Sequence, residues 1–232
     1  MSLFLRSFLP IILIFISISL KSQNSLSVEY ELELIETTVD IKEIEGLEKM
    51  SQLKGMLENA SYRVMFKGHK SRIEVKSLLV SMIMVTDFTE GKALILTSAL
   101  GNKSAQLIEK EEYTALYEMR EETEVKVVLI NESKEIAGYT CKKATINKSD
   151  STQTTIWYCP ELQGKESPLN RFQSPLIEGL ILEMDSDFNG ITVRFTADKI
   201  STDEIDDKYL GFGIPKGYDL KAPDLSELKN GL

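Results

Sequence analysis

The sequence predicts a mainly β fold of the α+β kind, a single antiparallel sheet with one or two helices laid against it. Three observations carry this: repeated segments that alternate apolar and polar residues, connectors rich in Gly, Asn, Asp and Ser, and only two stretches with helical spacing.

The first two dozen residues stand apart. Arg6 precedes an apolar run of 13 residues, Phe8 to Leu20, followed by polar "KSQN". A membrane span needs about 20 apolar residues, so the run reads as the core of a secretory signal peptide, residues 1–23. No cysteine lies near it, which speaks against an acylated N-terminus. The expected mature chain, 24–232, is one domain with 25 basic and 36 acidic residues, a net charge of −11. That balance argues against nucleic acid and against an anionic membrane surface, since both recruit dense Lys/Arg patches.

"VEYELEL" sets Val28, Tyr30, Leu32 and Leu34 against Glu29, Glu31 and Glu33, the pattern of a strand with one wet face. A helix is expected after Gly46, where Leu47, Met50, Leu53 and Leu57 form one stripe. "SYRVMFK" alternates again, and Leu78 to Thr86, "LLVSMIMVT", is apolar on both parities, as in a strand covered on both faces. Lys92 to Thr97 follows as a strand. A second helix is expected over Glu111 to Glu122, with Tyr113, Leu116 and Tyr117 on one face. Further strands are expected at Glu124 to Ile130, Gly138 to Ile146, Thr154 to Cys159, Leu180 to Met184 and Ile191 to Phe195, joined by "NKSDST" and "DFNG".

The two cysteines, Cys141 and Cys159, share a midpoint at residue 150 with the expected turn at Ser149 to Ser151. A hairpin about that turn opposes them directly, within reach of a disulfide in an oxidising compartment. Such a bond contributes about 3 kcal/mol in the loop-entropy model. Two free thiols packed as small apolar groups are the alternative. Zinc is not expected, because two cysteines and His69 do not complete a four-ligand site.

The same region carries a resemblance. "IAGYTCKKA" (136–144), "WYCPEL" (157–162) and "EGLILEM" (178–184) resemble successive blocks of the GLPGLI family and its sister families of bacterial envelope proteins. The ending "DKYLGFGIPKGYDL" resembles the closing segment of related families with a lipoprotein-carrier, LolA-like fold. That resemblance implies a strongly curved half-barrel with helices on its concave face, and the expected signal peptide implies that it lies in the periplasm or is secreted. No catalytic residues come with it.

Several motifs imitate chemistry. "DSDFNG" (185–190) matches half a calcium loop, but position twelve is Thr196 rather than glutamate, so a hairpin turn is the reading. "STDEIDDK" (201–208) reads as a solvated helix cap opening at Ser201 or Thr202. His69, in a polar turn, lacks the burial and the neighbouring nucleophile of a general base. No catalytic residue, metal site or cofactor is therefore expected, and the chain reads as a non-enzyme. The candidate apolar ligand site comprises Met82, Met84, Tyr139 and Trp157, with ordinary core as the competing reading. Two functions follow: an envelope protein binding a lipid, a lipoprotein acyl chain or another apolar ligand, or a structural protein with a self-filled core and an envelope protein partner.

Overall fold

The computed structural model describes residues 25–37, 55, 59–121, 125–148, 153–164, 167–173, 176–188 and 191–223. The expected signal peptide, the stripe Leu47 to Leu57 and the turn 149–151 lie outside them. Twelve strands form one open curved sheet: β1 Ser25–Thr37, β2 Ser61–Lys67, β3 Lys70–Lys76, β4 Val80–Asp87, β5 Lys92–Ala99, β6 Asn102–Ile108, β7 Val125–Ile136, β8 Tyr139–Lys148, β9 Gln153–Gln163, β10 Gly179–Phe188, β11 Ile191–Ser201 and β12 Asp219–Lys221. Among the described residues two short α-helices accompany them, α1 Lys110–Glu121 and α2 Pro168–Gln173.

The order across the sheet is β12-β6-β5-β4-β3-β2-β1-β11-β10-β9-β8-β7. Two meanders are thus joined where β1 pairs with β11, Leu32 opposite Phe195. All pairings are antiparallel except β12 on β6. Tight turns set the registers. Leu100 and Gly101, with φ of 49° and 85°, close β5–β6 so that Ala99 faces Asn102.

The alternation read in the sequence decides which face is dry. Val28, Tyr30, Val64, Ile73, Met84, Ile95, Ile156, Met184 and Phe195 belong to one buried cluster, against which Tyr113 of α1 packs. The opposite face is covered where the chain after β11 crosses it. Met65 packs with Ile205 and Leu210, while Phe212 and Tyr218 lie against Val85, Leu94, Leu96 and Ala105. Lys67 fastens this crossing through Asp207 at 2.8 Å and the Ile205 carbonyl at 3.1 Å.

Some expectations shift. β4 starts at Val80, and Leu78 and Leu79 sit in the turn before it, because Ser77 closes a bonded turn onto Val80. The cap in "STDEIDDK" is Asp206, which accepts from the Lys208 amide and opens a 3-10 turn at Asp207–Leu210; Ser201 still belongs to β11. Asp185 to Phe188 of "DSDFNG" lie in β10, and Phe188 stands opposite Ile191 of β11, the register of a hairpin; residues 189–190 lie outside the described residues.

Candidate functional site

The β1–β2 ladder runs from Ser25 opposite Lys67 to Tyr30 opposite Tyr62 and then stops, because β2 begins at Ser61. Among the described residues, β1 continues to Thr37 on β11 alone. The fork opens a cleft of about 460 Å³ lined by Glu29, Tyr30, Glu31, Leu32, Ser61, Tyr62, Arg63, Glu74, Lys76 and Asp198. Asp198 reaches it because a bulge in the β1–β11 pairing, between Glu29 opposite Lys199 and Tyr30 opposite Ala197, leaves it as the extra residue.

Strand alternation gives the cleft two walls. Tyr30, Leu32 and Tyr62 point to the core face, where the rings of Tyr30, Tyr62 and Phe195 meet edge to face at 5.8 and 5.0 Å. The Tyr30 hydroxyl donates to the buried Ile181 carbonyl at 2.8 Å. Burial pushes both tyrosine pKa values up, so each hydroxyl keeps its proton. The other wall is charged. Arg63 pairs with Glu29, and Glu74 lies buried between Arg72 at 2.7 Å and Lys76 at 3.0 Å. Burial pushes the Glu74 pKa up, but the hydrogen bonds from Lys76 and Arg72 outweigh it and hold the carboxyl below its ordinary value. A carboxyl held ionised in this way accepts hydrogen bonds well and donates protons poorly.

The residues expected to form an apolar site fall into two pairs on opposite faces of the sheet. Met82 lies opposite Val75, and Val75 opposite Tyr62, so both methionines share the Tyr62 face; Met84 is buried there and Met82 partly so. Trp157 lies opposite Lys143 and Glu183 on the other face, with the ammonium of Lys134 4.5 Å from its ring centroid. Tyr139 is two residues before Cys141 on that same face. Both cysteines are fully buried and unbonded. The β8–β9 register has the expected midpoint, but its last ladder pair is Lys142 opposite Tyr158, one residue short of them. His69 stands half exposed at the β2–β3 turn, its Nε2 3.3 Å from Asp87.

Reasoning from the sequence passed over Arg63 and Glu74. Their signal is the two-residue turn between Lys67 and Lys70, which fixes the β2–β3 register and sets Arg63 opposite Glu74.

A family model described as "N-glycanase peptide, N-terminal domain" matches residues 90–209, just over half of the sequence. The chain belongs to that family. The matched stretch holds β5 to β11, both helices and all three blocks that resemble GLPGLI. No curated protein matches. Among solved structures, PNGF-II is similar at 15% identity with a TM-score of 0.47, covering 88% of this chain and 32% of its own. MucB is similar at 10% identity with a TM-score of 0.37, covering 82% of this chain and 58% of its own. This member of the N-glycanase N-terminal domain family thus spans about a third of the PNGF-II chain.

Proposed function

We propose that the chain is a non-catalytic binding domain of an exported protein, and that the fork cleft takes a hydroxyl-rich ligand of the glycan class. The observation that carries this is the charged wall itself. Glu29, Arg63, Glu74 and Lys76 offer fixed acceptors and donors on neighbouring strands, the arrangement that engages vicinal hydroxyls. Tyr62 and Leu32 provide the apolar backing that a sugar ring face needs. Family membership supports the class of ligand, since its name is that of an N-glycanase. Carboxylates tied to cations suit recognition rather than hydrolysis.

The test is calorimetry with an N-glycosylated peptide, alongside mass analysis of that peptide after incubation. Binding that Arg63→Ala and Tyr62→Ala weaken, with the peptide mass unchanged, is the expected result. Release of the glycan would overturn the non-enzymatic reading, and absence of binding would overturn the glycan.

A second reading keeps the acyl ligand, because Leu32, Tyr62 and Met82 share a face and are only partly buried. Native mass spectrometry of protein purified from its own envelope separates the two: an extractable acyl-containing adduct favours the lipid reading.

A further inference from the structure

At the end of the sheet where the fork opens, two neighbouring hairpins carry apolar tips. Leu78 is 88% exposed and Leu79 half exposed in the β3–β4 turn; Leu100 is 79% exposed in the β5–β6 turn. Val80 is exposed beside them. The tips are tied to each other, the Leu100 amide donating to the Leu79 carbonyl at 3.4 Å. Turns ordinarily carry small polar residues at such positions. Leu100 is the sharper case: its φ of 49° is left-handed, and the residue that follows, Gly101, has φ of 85°. This turn favours Asn, Asp or Gly at the first of its two central positions, and leucine there is strained. A strained leucine whose side chain contacts mainly solvent adds nothing to the folded state. Its use lies elsewhere.

The surroundings indicate what meets it. Lys103, exposed, lies next to the β5–β6 turn; Lys76, exposed beside the β3–β4 turn, bonds the buried Glu74 at 3.0 Å, and because Arg72 meets the same carboxylate at 2.7 Å the group keeps one net positive charge. The acidic chain thus presents an apolar point with a basic collar at one end. We infer that the β3–β4 and β5–β6 tips dock the protein peripherally on an anionic lipid surface, the leucines entering the headgroup boundary and the lysines meeting the phosphates. The two readings share Lys76, and the test is run through Leu78, Leu100 and Lys103, none of which lines the cleft.

The experiment is co-sedimentation of the full chain with vesicles of mixed phosphatidylglycerol and phosphatidylcholine, and with phosphatidylcholine alone. The wild type is expected to partition onto the anionic vesicles, less so as salt is raised. Leu78→Asp and Leu100→Asn each lower partition about tenfold, the factor that burying one leucine supplies. Lys103→Glu lowers it on anionic vesicles only. Leu100→Asn also raises the melting temperature, because asparagine tolerates the left-handed turn. No partition of the wild type, or equal partition of the variants, would overturn the proposal. So would a lower melting temperature in Leu100→Asn, which would mean that the protein's own chain covers the leucine. A wild-type dimer that the same variants dissociate would assign the tips to a second copy instead.

Discussion

Lys134 of β7 sets its ammonium on both carboxylate oxygens of Glu183 in β10, at 2.7 and 2.8 Å, although β8 and β9 lie between the two strands. Strands in a flat sheet are about 4.8 Å apart, so β7 and β10 would be separated by about 14 Å. The β7 bulge between Ile130 and Ser133 and the coiling of this half of the sheet close that gap. Glu183 is only 12% exposed and Lys134 35%. Removing the lysine leaves a nearly buried carboxylate without its cation, which costs more than the pair itself contributes. Lys134→Met is expected to destabilise by about 1–2 kcal/mol, discounted for the exposure of the lysine. Lys134→Met with Glu183→Leu recovers most of that loss. Urea unfolding of the two variants checks both values.

Gly179 is placed where no side chain fits. A Cβ there would strike the Cys159 carbonyl oxygen and lie 2.7 Å from the Cys159 carbonyl carbon and 2.8 Å from the Tyr158 ring. Two of these neighbours are backbone of β9 and cannot turn aside. Gly179→Ala is therefore expected to cost about 3 kcal/mol through overpacking, with Gly138→Ala as a contrast that meets no atom within 4 Å and carries only the strain of its left-handed φ. Thermal melts rank the two variants. A Gly179→Ala protein as stable as wild type would show that β9 and β10 are not this close.

What the sequence disclosed and what it hid divide along the range of the contacts. The β8–β9 register was legible because one turn and one midpoint define it, and Lys143 does face Trp157. The mainly β class followed from the alternation in "VEYELEL" and "SYRVMFK", which burial confirms at Val28, Tyr30 and Val64. β6 was missed, since "NKSAQLI" opens with turn residues and alternates weakly. The fork was also hidden, because it depends on β2 starting at Ser61 while β1 runs on to Thr37 along β11, a strand more than 150 residues later in the chain. Met82 and Trp157 were grouped by chemistry, and only the full ladder shows that they occupy opposite faces.

Glu74 should make stability depend on acidity in one direction. Its folded pKa lies below the ordinary value of 4.5, since the bonds from Lys76 and Arg72 outweigh its burial. The stabilisation is therefore fully present above about pH 4.5 and is lost as pH falls through the folded value. Glu74→Gln is expected to be less stable than wild type at neutral pH and to lose less on acidification. Urea midpoints measured from neutral pH down past 4 would show the two curves converging; parallel curves would remove Glu74 from the account.

The thiols give the last test. Cys141 and Cys159 are both fully buried, and burial, with the neighbouring Cys159 sulfur, pushes the Cys141 pKa up to about 12. The Cys141 thiolate is therefore scarce near pH 8, and burial keeps both sulfurs out of reach of reagent. In the folded protein both cysteines are expected to resist iodoacetamide for as long as the sheet stays closed. In denaturant without reductant, two thiols should then react, as the unbonded pair requires. The disulfide expected from the hairpin midpoint would give none, and a protein mass lower by two hydrogens. If that result appears only in protein exported through an oxidising compartment, the bond must form before β8 and β9 close, because afterwards neither sulfur is exposed to an exchanging disulfide.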